Sequence, residues 1–96
     1  MPSSAQPVPR DLEILAATYA AHDNAGQKNI ADKVRDLCRR DTDACTVPCD
    51  NVTYGDPASG HAKFCEIVYR CAAEHKTRTA RSEENTAVVM TCRGCP

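Results

Sequence analysis

Apolar and polar positions alternate along the first structured stretch of the chain. Leu12, Ile14 and Ala16 share an apolar face, and Glu13, Leu15 and Ala17 a mixed one. This period of two predicts a first strand over residues 11–20, although the Ala and Leu content would also suit a helix. His22, Asp23, Asn24 and Gly26 mark a turn after it. The period then lengthens. Ile30, Val34, Leu37 and Cys38 recur at helical spacing behind Asn29, with Asp32 completing a loose capping box. A helix over residues 29–39 is predicted, carrying Cys38 inward on its last turn, with Lys28, Lys33, Arg35, Asp36 and Arg39 facing outward. Arg40 to Gly60 reads as loop, broken by Pro48, Gly55, Pro57 and Gly60.

The best strand pattern covers residues 62–71, with Cys65, Ile67, Tyr69 and Cys71 on one face and Phe64, Glu66, Val68 and Arg70 on the other. Lys76 to Arg81 alternates basic residues with Thr and Ala, which predicts an exposed strand, and Thr86 to Cys92 predicts a last one. Three or four strands plus one helix make a small α+β domain over residues 11–96. Residues 1–10, with Pro2, Pro7 and Pro9, predict a disordered leader.

Composition sharpens this picture. Val, Ile and Leu total 13 of the 96 residues, with one Phe and no Trp, so the core is thin. A chain of this size buries only about 60–65% of its unfolded surface. Seven cysteines accompany that thin core, which is the signature of a crosslinked or metal-bound domain. The net charge of −1 argues against a strongly basic nucleic-acid binder. The length excludes a multidomain enzyme, and no apolar run is long enough for a membrane span. Cysteine usage favours an oxidising compartment, hence a secreted or extracellular protein, although the first ten residues hold no signal-peptide h-region. The odd cysteine count leaves at least one thiol free or paired with another molecule.

Cys45-x3-Cys49 and Cys92-x2-Cys95 could together hold a tetrahedral zinc, but disulfides are the leading reading and no metal or cofactor is expected. Cys92 and Cys95 read as a tight structural crosslink, since no helix follows to activate a thiol. His22, His61 and His75 show no ligand spacing, and nothing points to an enzyme. The basic run from Lys76 to Arg81 is followed by Glu83-Glu84 and reads as a solvated strand face. Asn51-Val52-Thr53 is a glycosylation sequon. From Asn51 to Lys63 a bent loop gathers an amide, the Asp56 carboxylate and an ammonium. These groups can hydrogen-bond the vicinal hydroxyls of a polyol. The plain alternative is an Asp56-Pro57 turn with an ordinary Asp56–Lys63 surface ion pair.

The stretch Asn51-x3-Gly55-Asp56-Pro57-x2-Gly60-x2-Lys63-Phe64-x4-Tyr69-x-Cys71 resembles the C-terminal signature of the rhamnose- and galactose-binding lectin domain of the sea urchin egg type. Val34-x3-Cys38, Cys45-x-Val47 and Ile14-x2-Ala17-x-Tyr19 resemble further parts of that pattern. The sequence departs from the family at Ala58, where the signature has a cysteine, and at Ala20-Ala21, where it has Gly-Arg. The family's N-terminal cysteines and acidic residue have no counterpart, and residues 72–96 extend past the family's end as an additional strand region.

The resemblance implies a small antiparallel β-sandwich-like domain with one packed helix, stabilised by disulfides. It assigns sugar contacts to Tyr19, Asn51, Asp56 and Lys63. It also implies a Cys38–Cys71 disulfide, and leaves Cys45 to pair with Cys49, Cys65 or a tail cysteine. The expected ligand is a glycan or glycoprotein, bound at roughly millimolar to tens of micromolar strength unless tandem copies or a homo-oligomer add avidity. A protein-binding or inhibitor domain that keeps the fold without sugar binding is the alternative.

Overall fold

Strand β4 (Lys63–Cys71) is the axis of the molecule, and its burial alternates without a break. Lys63, Cys65, Ile67, Tyr69 and Cys71 point into the core, and the residues between them lie half-buried on the outer face. That is the pattern the sequence predicts. The computed structural model describes residues 12–38, 44–71 and 76–92, so the expected leader over residues 1–10 lies outside the described residues. Around β4 the chain forms β1 (Leu12–Ala21), β2 (Gln27–Asn29), α1 (Ala31–Cys38), β3 (Ala44–Cys49), α2 (Asn51–Tyr54), β5 (Arg78–Glu83) and β6 (Thr86–Thr91). One antiparallel sheet has the order β2-β1-β4-β5, and β3 pairs with β6 in a second. Side chains from both sheets and α1 join one buried cluster.

The predicted first strand forms, but with its face broken. The register between β1 and β4 shifts between Ile14 and Ala16. An extra residue there reverses the alternation. Ile14 is buried before the bulge, whereas Ala17, Tyr19 and Ala21 are buried after it and Ala16 and Leu15 are exposed. Arg35 answers the irregularity by donating from Nε and Nη2 to the Ile14 carbonyl, at 3.3 and 3.1 Å.

The helix is shorter than expected. Asn29 serves the short strand β2, and its Oδ1 accepts from the Ala31 N–H at 2.9 Å as α1 begins. Ile30, Ala31, Val34 and Cys38 are buried as the periodicity requires, but Leu37 is 41% exposed. The stretch read as loop contains β3, in which Cys45, Val47 and Cys49 face inward. Pro48 is tolerated because, among the described residues, β3 pairs on one side only.

The expected Cys38–Cys71 disulfide is not formed. Cys38 joins Cys45, Cys49 joins Cys65, and Cys71 joins Cys92. The physical reason is β3, which enters beside the last turn of α1 and puts Cys45 next to Cys38, while Cys49 faces Cys65 on β4. Cys71 ends β4 beside the last residues of β6, where its neighbour Tyr69 bonds Thr91, so Cys92 is its partner rather than Cys95. Cys95 lies outside the described residues. The chain is thus a small disulfide-rich domain, mostly antiparallel sheet with one short helix and a single-turn α2. No helix among the described residues is long and apolar enough to cross a membrane.

Candidate functional site

Tyr19, Asn51, Asp56 and Lys63 come to one end of the four-stranded sheet, each delivered by a different element. Asp50 caps α2 by accepting from the Thr53 N–H at 2.8 Å, which fixes Asn51 on the first residue of the turn. Gly55 closes that turn at φ 89°, a conformation that favours glycine, and donates to the Asn51 carbonyl at 2.7 Å. The chain then bends through Asp56, whose Oδ1 accepts from the Ala58 N–H at 3.0 Å. Gly26, in the β1–β2 turn, lies so close to this loop that a Cβ there would meet the Pro57 carbonyl oxygen at 2.1 Å.

Two of the four side chains are buried supports. Tyr19 is 0% exposed, and its hydroxyl donates to Asn51 Oδ1 at 2.6 Å. Burial pushes the Tyr19 phenol up to about 12, helped by the Glu84, Asp56 and Asp50 carboxylates near it. Its ring packs against Tyr54, whose hydroxyl donates to the Pro48 carbonyl at 2.7 Å. Lys63 is 2% exposed. Its ammonium donates to the Ala58 and His61 carbonyls at 3.1 and 2.8 Å and pairs with Asp56 Oδ1 at 3.1 Å. Three oxygens therefore match its three N–H groups.

The other two are partly exposed. Asp56 Oδ1 is taken by Ala58 and Lys63, while the side chain remains about one-third exposed at 32%. Asn51 gives Oδ1 to Tyr19, and its Nδ2 has no partner among the described residues and is not buried. The lysine hydrogen bond, first among several causes, holds the Asp56 carboxyl below the usual carboxylate range.

A fifth residue belongs here that the sequence reading missed. Glu84 sits in the β5–β6 turn, accepts from the Lys63 N–H at 3.2 Å and lies 3.6 Å from its ammonium. The turn is anchored to both sheets, by Glu84 N–H to the Lys63 carbonyl and by Asn85 N–H to the Cys49 carbonyl. The sequence offered only an acidic pair after a basic run, with nothing to place it beside Lys63.

Comparison with protein-family models, curated proteins and solved structures finds no match to this chain.

The remaining candidates among the described residues have structural partners, and His75 lies outside the described residues. His22 pairs with Glu83 at 2.6 Å and His61 with Asp23 at 2.8 Å; the latter contact lowers the Asp23 carboxyl. Arg81 in the basic run stacks over the Phe64 ring at 4.0 Å. Cys45, Cys49 and Cys92 are oxidised, so the zinc alternative loses its thiolates, and no metal-holding group occurs among the described residues. Chemically, the end of the sheet offers an amide donor and a carboxylate acceptor on rigid internal supports. A hydroxyl can accept from the first and donate to the second.

Proposed function

We propose that this domain is a small non-catalytic carbohydrate-binding module of lectin-like, sandwich-like build, acting in an extracellular setting. One observation carries the reading. Asn51 and Asp56 are each fixed through one oxygen to a buried partner, and each keeps a further polar atom, Nδ2 and Oδ2, for a ligand. Fixing the supports beforehand lowers the ordering cost of binding a flexible, well-hydrated sugar. Tyr19 and Lys63 then act as positioning residues, which refines the contact roles that the lectin resemblance implies. Three disulfides in so small a domain are compatible with an extracellular location.

The complete internal pairing of Lys63 also suits the second reading, a protein-binding or inhibitor domain whose loop is merely braced. Titration with rhamnose and galactose, followed by backbone amide shifts, separates the two. The wild type is expected to bind at roughly millimolar strength or better. Asn51→Asp keeps the acceptor for Tyr19 but removes the Nδ2 donor. It should weaken binding about tenfold while the folded spectrum is kept. Silence of the wild type across both sugars sinks the carbohydrate reading.

A further inference from the structure

A cleft of about 250 Å³ opens between the start of α1 and the α2 turn, with Lys28, Asp32, Lys33, Thr53 and Tyr54 in its wall. Its charge is lopsided. Asp32 is held by Arg35 at 3.0 Å, whereas neither Lys28 nor Lys33 has an anionic partner among the described residues. Lys28 gives one N–H to the Tyr54 carbonyl at 2.5 Å, which leaves two of its three donors. Lys33 is exposed and commits none. The Lys28 ammonium also lies 3.2 Å from where a Cβ on Gly55 would stand. It therefore sits against the peptide that joins the Asn51 turn to Asp56, and the cleft shares a wall with the loop that presents the amide and carboxylate.

We propose that this cleft binds the anionic substituent of an acidic saccharide, a ring carboxylate or a sulfate ester, while Asn51 and Asp56 hold the ring hydroxyls. The inference rests on the carbohydrate-binding reading and narrows it to acidic glycans. Two ammonium groups beside one cavity favour a fixed anion through charge-assisted hydrogen bonds, a gain that added salt screens. The neutral amide at Asn51 and the lysine-paired carboxylate at Asp56 supply no such preference, so charge selectivity belongs to Lys28 and Lys33.

The test compares galactose, galacturonic acid and inorganic sulfate by amide-shift titration of the wild type, Lys33→Gln and the Lys28→Gln, Lys33→Gln double variant. Lys33 makes no internal bond, so its single variant keeps the fold even if loss of the Lys28–Tyr54 contact does not. Galacturonate is expected to bind about tenfold more tightly than galactose at low salt. Lys33→Gln should remove much of that advantage, the double variant all of it, and sulfate alone should shift the Lys33 and Thr53 amides saturably. Equal affinity for the two sugars overturns the proposal, as does an advantage that survives in the double variant. Galactose binding without any response to galacturonate or sulfate overturns the cleft and leaves the carbohydrate reading standing. Sulfate saturating the cleft while neither sugar binds overturns the acidic-saccharide assignment together with the carbohydrate reading.

Discussion

Lys63, 2% exposed at the head of a core-facing row, needs acceptors for every N–H, and the loop from Asp56 to His61 supplies them. Its hydrogen bond in turn holds the Asp56 carboxyl below the usual carboxylate range. A lowered folded value means that this contribution to stability is complete above about pH 4, the unfolded value, and is lost as pH falls through the folded one. Lys63→Met should move the Asp56 titration, read from its carboxyl carbon shift, up toward the ordinary carboxylate range. An unchanged titration would show that the ammonium is not what holds it. Gly26 makes the complementary case for shape. Any side chain there strikes the Pro57 backbone, which cannot step aside as a flexible side chain would. Gly26→Ala is expected to cost roughly 1–3 kcal/mol by overpacking, measured by urea unfolding, and to shift the Asp56 and Ala58 amides. At this scale the Asp56–Lys63 contact was legible, because the two residues lie in one short stretch. The sequence did not show which of them turns inward, since a lysine opening a strand reads as solvent-facing.

Among the elements, β4 was fully legible because nine residues alternate without interruption. β1 was legible as a strand but not in its faces, since a bulge between Ile14 and Ala16 leaves no mark in a run of Ala and Leu. β3 went unread because Pro48 and the flanking breakers suggested loop. The alternation Cys45, Val47, Cys49 was there to be seen once cysteine is counted as apolar. Missing β3 also misplaced the disulfide of Cys38, whose partner sits on that strand. The bulge yields its own prediction. Arg35 supplies donors to the Ile14 carbonyl from the neighbouring helix, so it ties α1 to the irregular point of β1. Arg35→Ala should lose about 1 kcal/mol and speed amide exchange around residues 14–16. Exchange that stays at the wild-type rate would mean the bulge holds itself.

For the molecule as a whole, three crosslinks compensate for a core built largely from alanine, cysteine and a few branched residues. The Cys49–Cys65 bridge spans 16 residues and Cys38–Cys45 spans seven. Loop entropy assigns them about 3 and about 2 kcal/mol, so the Cys49→Ala, Cys65→Ala pair should lower the urea midpoint further than the Cys38→Ala, Cys45→Ala pair. Complete burial of Cys49 and Cys65 adds a packing loss in the same direction. The reverse order would place the stabilisation elsewhere than in chain connectivity. The β5–β6 turn has a kinetic consequence. Glu84 reaches Lys63 from a turn anchored to the ends of both β3 and β4, through contacts at least 21 residues apart along the chain. Such distant closures come late in folding. The end of the sheet that presents Asn51 and Asp56 is therefore finished among the last parts of the chain, and on the proposed carbohydrate-binding reading ligand competence would mark the molecules in which both sheets have formed.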